Sequence, residues 1–174
     1  GAVVFHVDVA ALRTAGLGDL LEGAPVAEEP EYRRFVTESG FDWKTDLEAV
    51  TASRVRDNWY LFARGRFNME KLKAFVEARG GGCKNGVCGV EGATPGRMVS
   101  FFPVTSRILA LATAPEPMAA YALHGSSAKV RWTEPVPAEP LWLSFGGSAL
   151  RGDPSLPAGA RLFGKVLAEA DRTT

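Results

Sequence analysis

Apolar and polar positions alternate along several stretches of the chain. In AVVFHVDV, positions 3, 5 and 7 are large and apolar, whereas His6 and Asp8 occupy even positions. This period of two predicts a β-strand with one apolar face. The same alternation occurs in TASRVRDNWYLFARGRF, where we expect Asp57-Asn58 to form a hairpin turn, and in RMVSFFPV, RILALATA and PLWLSFGGSAL. The chain is therefore rich in predicted strands.

Other stretches show helical spacing. In NMEKLKAFVEARG, Asn68 is suited to cap a helix, Leu72 and Val76 fall on one face, and Gly80 ends the pattern. PEYRRFVTESG has Pro30 at a first helical position and is followed by glycine. A short helix is predicted in EPMAAYALHG and a final amphipathic one in AGARLFGKVLAEADR.

The order of these elements predicts an α+β fold. A strand and a helix are followed by a hairpin, a second helix, and then further strands and helices. We expect an antiparallel sheet with helices packed mainly on one face. It would contain a ferredoxin-like split β-α-β-β-α-β unit plus additional strands.

The proline-rich stretch TEPVPAEP is a predicted connector that divides the chain into residues 1–139 and 140–174. Residues 2–13 and 140–151 align without a gap, and both segments end in Ala-Leu-Arg. Under one interpretation, residues 140–174 are the first strand and helix of a second copy, packed on the first. Under the other, two unrelated strands share a common alternation.

Composition narrows the classes of function. Hydrophobic residues make up 46% of the 174 residues and charged residues 23%, which excludes wholesale disorder. Twenty basic residues balance twenty acidic ones, so the chain lacks the positive excess of a nucleic-acid-binding protein. No apolar run approaches the roughly 18 residues of a membrane span. No motif for a cofactor is present, and we predict none.

Three segments resemble exported bacterial proteins of unknown function that are built from a repeated α+β unit. These segments are AVVFHVDVAALR, FDWKTDLEAV and GRFNMEKLKAFVEARGG. The resemblance implies a periplasmic or cell-surface location and transfers no activity and no functional residue. The chain begins with glycine and not with methionine, which indicates a trimmed chain. Together with the resemblance, this leads us to expect that a signal peptide has been removed.

Both cysteines lie in GGGCKNGVCGV. The four-residue spacing does not match the C-x-x-C of thiol oxidoreductases, and two scattered histidines make a poor zinc site. If Asn85-Gly86 form a type I′ turn, Cys83 faces Cys88 across a hairpin. We therefore favour a structural disulfide between Cys83 and Cys88 over free thiols, and over a redox or metal site.

Candidate catalytic residues are few. His6 and Asp8 lie on the same side of the first strand, and His124 lies at a predicted helix end beside Gly125. Either histidine could serve a hydrolase if folding supplied a cleft, a carboxylate and a hydroxyl.

We expect a non-catalytic, exported binding or assembly module whose partner is an unknown protein or small molecule. Self-association through an edge strand is a further expectation. The alternatives are the hydrolase with His6 or His124 and a structural fragment of a longer repeat protein.

Overall fold

The computed structural model describes residues 3–16, 30–124 and 138–145. Within these residues the fold is α+β, with eight strands in one antiparallel sheet, as predicted. The elements in chain order are β1 (Val3–Asp8), α1 (Val9–Thr14), α2 (Pro30–Ser39), α3 (Trp43–Asp46), β2 (Leu47–Val55), β3 (Asn58–Gly65), α4 (Met69–Ala78), β4 (Gly82–Lys84), β5 (Val87–Glu91), β6 (Met98–Thr105), β7 (Ile108–Ala114), a 3₁₀ helix (Ala119–Leu123) and β8 (Leu141–Phe145).

The strand order across the sheet is β4-β5-β6-β7-β3-β2-β1-β8. In a split β-α-β unit, a further strand lies between the two strands that the helix joins. Here β1 and β2 are direct antiparallel neighbours, although the helices α1, α2 and α3 lie between them in the chain. The ferredoxin-like split unit is therefore not confirmed.

Helix α4 begins and ends where its sequence predicts. The Asn68 side chain accepts a hydrogen bond from the Lys71 backbone N–H at the start of the helix. Leu72 and Val76 are both buried against the sheet. Gly80, with a φ of +74°, follows the last turn in the left-handed conformation that glycine adopts without steric cost.

The turn between β2 and β3 differs from the prediction by one residue. Val55 pairs with Asn58, so Arg56 and Asp57 form the turn instead of Asp57-Asn58. The observed register places Arg54 opposite Trp59, with the guanidinium carbon 5.8 Å from the indole ring centre. This cross-strand contact outweighs the local preference of Asn58 for a turn position.

The two faces of the sheet carry separate cores. Phe101 and Leu109 pack against Leu72 and Val76 of α4, on what we call the helix face. Because side chains alternate along a strand, Phe102 and Ala110 point to the opposite face. There they pack with Ala120 of the 3₁₀ helix.

Helix α2 also lies on the helix face, where Phe35 packs against the core. The expectation that helices lie mainly on one face is not tested for the whole chain, because the predicted final helix falls within residues 146–174, outside the described residues.

Strand β8 pairs with β1 and so lies at one end of the sheet among the described strands. The pairing joins Val3 to Phe145, Phe5 to Leu143 and Val7 to Leu141. The predicted connector lies largely outside the described residues. The division at residues 139 and 140 stays a prediction.

Candidate functional site

The two cysteines lie opposite each other on β4 and β5, as the hairpin prediction requires. Asn85 and Gly86 both have positive φ, of 52° and 82°, which is the backbone pattern of a type I′ turn. Cys83 pairs with Cys88, and their sulfur atoms are 2.04 Å apart, at bonding distance. Cys88 is 1% exposed and belongs to the core of the helix face. This arrangement is typical of a structural disulfide across a hairpin.

We expect the purified protein to contain the Cys83–Cys88 disulfide. Intact mass after alkylation without reduction should then show no added label, and reduction before alkylation should add two labels. A protein purified without reductant that takes up two labels at once would contradict this prediction.

His6 and Asp8 share a face of β1 but have separate partners. The Nδ1 atom of His6 lies 2.8 Å from the Thr51 hydroxyl, and its ring stacks on Trp142 with centres 5.5 Å apart. Asp8 caps α1 by accepting a hydrogen bond from the Ala11 backbone N–H, 2.8 Å away. Its carboxylate is therefore engaged in starting a helix.

His124 lies far from His6. Its ring stacks on Phe102, with centres 4.2 Å apart, and its backbone N–H donates to the Tyr121 carbonyl. His6 on β1 and Phe102 on β6 lie in one row of directly paired residues that crosses β2, β3 and β7. Four strand spacings therefore separate them. At roughly 4.8 Å per strand, this separation is about 19 Å. In the part of the chain that the structure describes, neither histidine ring is hydrogen-bonded to a carboxylate.

A cluster of three or more residues able to hold a metal ion is not found among residues 3–16, 30–124 and 138–145. In those same ranges, no helix is both long enough and apolar enough to cross a membrane.

A partly open cavity lies on the helix face, between the sheet, α2 and α4. Its volume is about 280 Å³. Fifteen residues line it, and every one of them is apolar: Phe35, Phe41, Leu47, Val50, Leu61, Ala63, Phe67, Leu72, Phe75, Val76, Val90, Val99, Phe101, Leu109 and Leu111.

Aromatic contacts shape the end of this cavity that lies near α2. The rings of Phe35 and Phe75 meet edge to face, with centres 5.1 Å apart. Phe41 stacks on Phe67, with centres 5.0 Å apart. Phe35 and Phe75 come from α2 and α4, whereas Phe41 and Phe67 lie in the connecting segments beside them. These ring contacts join α2, α4 and the segments beside them at this end of the cavity.

The apolar wall of this cavity favours an apolar occupant. Removing apolar surface from water is stabilising by roughly 25 cal/mol per Å². An apolar molecule would cover the wall and gain this stabilisation, whereas water would find no hydrogen-bonding partner on it.

A polar depression adjoins the cavity. It is lined by Gly40, Asp46, Arg66, Phe67 and Asn68, and Phe67 lines the cavity as well. Arg66 forms an ion pair with the Asp46 carboxylate over 2.8 Å and donates a hydrogen bond to the Thr45 carbonyl over 3.0 Å.

Tyr32 fixes the segment that forms one side of this region. Its hydroxyl donates to the Asp42 carboxylate over 2.8 Å and accepts from the Trp43 backbone N–H over 3.2 Å. These bonds tie α2 to the start of α3. Burial and the hydrogen bond to Asp42 raise the pKa of Tyr32 to about 12.

We expect one tyrosine of the folded protein to ionise near pH 12. The unfolded value is about 10, so the stability that protonated Tyr32 contributes is complete below pH 10 and is lost as the pH rises towards 12. Ultraviolet absorbance of tyrosinate against pH should show this late step. It should disappear in Tyr32→Phe and remain in the control Tyr121→Phe. A late step that survives in Tyr32→Phe would refute the assignment.

The sequence pattern did not reveal the cavity, because Phe35 and Phe75 fit equally well with ordinary core packing. The available signal was the recurrence of phenylalanine within and just beyond two helices, at positions 35, 41, 67 and 75.

Comparison of this chain with models of protein families, with curated proteins and with solved structures finds no match.

Proposed function

We propose that the protein is a non-catalytic, exported binding module that holds a small apolar molecule between α2, α4 and the helix face of the sheet. The observation that carries this proposal is the cavity of about 280 Å³ with a wall made only of apolar side chains. Sites for small molecules are concave, largely preformed and mainly apolar, and this cavity shares those properties.

The size of the cavity limits the ligand. An engineered apolar cavity of about 150 Å³ binds benzene, so a volume nearly twice as large accommodates about twelve carbon atoms. The uniform apolar wall favours an alkyl chain or a small fused aromatic system over any molecule that needs a hydrogen bond inside the cavity.

Export is proposed on separate grounds. The cysteine pair at bonding distance is compatible with an oxidising compartment, where structural disulfides persist. This agrees with the resemblance to exported bacterial proteins.

The binding proposal can be tested with N,N-dimethyl-1-naphthylamine, an apolar dye of twelve carbon atoms whose fluorescence depends on the polarity of its surroundings. We expect saturable binding of one dye molecule per chain and competition by dodecan-1-ol. Binding should be lost in Ala63→Leu, which places a larger side chain on the cavity wall. Failure of the dye to bind saturably, or unchanged binding to Ala63→Leu, would sink the proposal.

A second candidate function, a structural unit of a longer repeat protein, is favoured by the pairing of β1 with β8. The alignment of residues 2–13 with 140–151 makes Phe5 equivalent to Leu143, and these two residues pair directly. Val3 pairs with Phe145, which the alignment makes equivalent to Val7, and Val7 pairs with Leu141, which it makes equivalent to Val3. The register is thus symmetric about Phe5 and Leu143, as in the two-fold pairing of identical strands.

In this second candidate function, the sheet of one copy continues into the next through β1 and β8. A longer native chain with a complete second copy should unfold in one transition, with a steeper dependence on denaturant than the present chain, because the shared sheet couples the copies. Two independent transitions, one of them identical to that of the present chain, would argue against it.

A further inference from the structure

The polar depression beside the cavity is rich in hydrogen-bond donors. The Arg66 side chain is 63% exposed, and its contacts with Asp46 and Thr45 both use Nη2. Among the described residues, its Nε and Nη1 atoms have no hydrogen-bond partner. The Asn68 side chain uses its oxygen to cap α4, which leaves its amide N–H₂ available as a donor.

Lys71 adds a second positive charge at this position. A methyl group placed on Gly40 would lie 3.2 Å from Nζ of Lys71, so the ammonium lies directly beside the glycine that lines the depression. Among the described residues, Lys71 forms no ion pair. Its charge is available to a ligand.

Asp46 contributes the negative charge in the lining of the depression. One oxygen of its carboxylate forms the ion pair with Arg66, and the other accepts a hydrogen bond from the Asp42 backbone N–H over 2.9 Å. The charges of Arg66 and Asp46 balance each other. The nearby Asp42 carboxylate is engaged by the Tyr32 hydroxyl and the Lys44 backbone N–H. Lys71 therefore supplies the positive charge that has no ion-pair partner among the described residues. The remaining donors therefore favour an anion.

The depression and the cavity adjoin at Phe67, which lines both. A molecule that extends from one into the other has an anionic end beside Arg66 and Lys71 and an apolar end beyond Phe67. The cavity accommodates about twelve carbon atoms, which is one alkyl chain and not two.

We propose that the ligand is a single-chain amphiphile with an anionic head group, such as a fatty acid of about twelve carbons, whose carboxylate lies between Arg66, Lys71 and Asn68 while its tail fills the cavity. This inference rests on the proposed binding function and extends it to the chemical class of the ligand.

The test compares three probes with the same tail: dodecanoate, dodecan-1-ol and dodecyltrimethylammonium. Each is measured below its micelle concentration or, for dodecan-1-ol, its solubility limit, by displacement of N,N-dimethyl-1-naphthylamine. The wild-type protein should bind dodecanoate about tenfold more tightly than dodecan-1-ol, the effect of one charge-assisted hydrogen bond, and should bind the cation most weakly. In the double variant Arg66→Gln/Lys71→Gln, the preference for dodecanoate should vanish, while the affinity for dodecan-1-ol should change by less than about twofold.

Lys73→Gln is the control for the substitution of Lys71, because it removes one positive charge from an exposed position of α4 that does not line the depression. It should retain the preference for dodecanoate. Equal affinity of the wild-type protein for dodecanoate and dodecan-1-ol would overturn the inference but leave the apolar binding function intact. The inference would also be overturned if the preference for dodecanoate persisted in the double variant or disappeared in Lys73→Gln. Failure of all three probes to bind would overturn the binding function itself.

Discussion

Gly81→Ala is expected to lower the free energy of unfolding by about 3 kcal/mol, since overpacking of a close backbone contact forces the chain apart. A methyl group on Gly81 would lie 2.3 Å from the Gly89 carbonyl oxygen and 2.8 Å from Val76 Cγ1. The first contact is with the backbone of β5, which cannot move without breaking its own pairing. Urea unfolding followed by circular dichroism measures the change.

Gly82→Ala is the control for this experiment, because Gly82 is the next residue in the chain and a methyl group there meets no atom within 4 Å. Its free energy of unfolding should stay within about 0.5 kcal/mol of the wild-type value. If the two variants have equal stabilities, then β5 does not approach the end of α4 as closely as the structure indicates.

Ala63→Leu is expected to raise the free energy of unfolding by about 1–2 kcal/mol while it abolishes binding of the dye. Ala63 lines the cavity, and three added carbon atoms would bury apolar surface in space that is otherwise empty. A stabilising substitution that removes binding is difficult to explain by misfolding, so the two measurements together locate the site.

Ala110→Leu should have the opposite effect on stability. Ala110 is fully buried on the opposite face of the sheet, in the core with Phe102 and Ala120, and is not part of the cavity wall. The same enlargement should therefore destabilise the protein by about 1–3 kcal/mol. Destabilisation by Ala63→Leu to the same extent as by Ala110→Leu would show that no space is available beside Ala63.

Sequence reasoning was most successful where the signal is local. Asn68 and Gly80 predicted both ends of α4, because capping and the left-handed conformation depend on residues within one turn. The Asn85-Gly86 turn likewise placed Cys83 opposite Cys88. At the β2–β3 hairpin, by contrast, the cross-strand pairing of Arg54 with Trp59 shifted the turn away from the residue with the stronger local preference.

The candidate site was not predictable in the same way. His6 and Asp8 attracted attention because they are close in sequence and carry reactive groups, yet one bonds to Thr51 and the other caps α1. The cavity has no such signal, because a phenylalanine that lines empty space looks the same in sequence as one that fills a core.

The sequence alone determined the α+β class, the periods of the strands and helices, and the turn that joins the two cysteines. These features follow from backbone preferences and from side chains a few positions apart. The tertiary structure alone decided the strand order, which inserts β7 between β3 and β6, and the volume left between α2, α4 and the sheet. That volume depends on how fifteen side chains from distant parts of the chain fit together. No local pattern in the sequence encodes this packing.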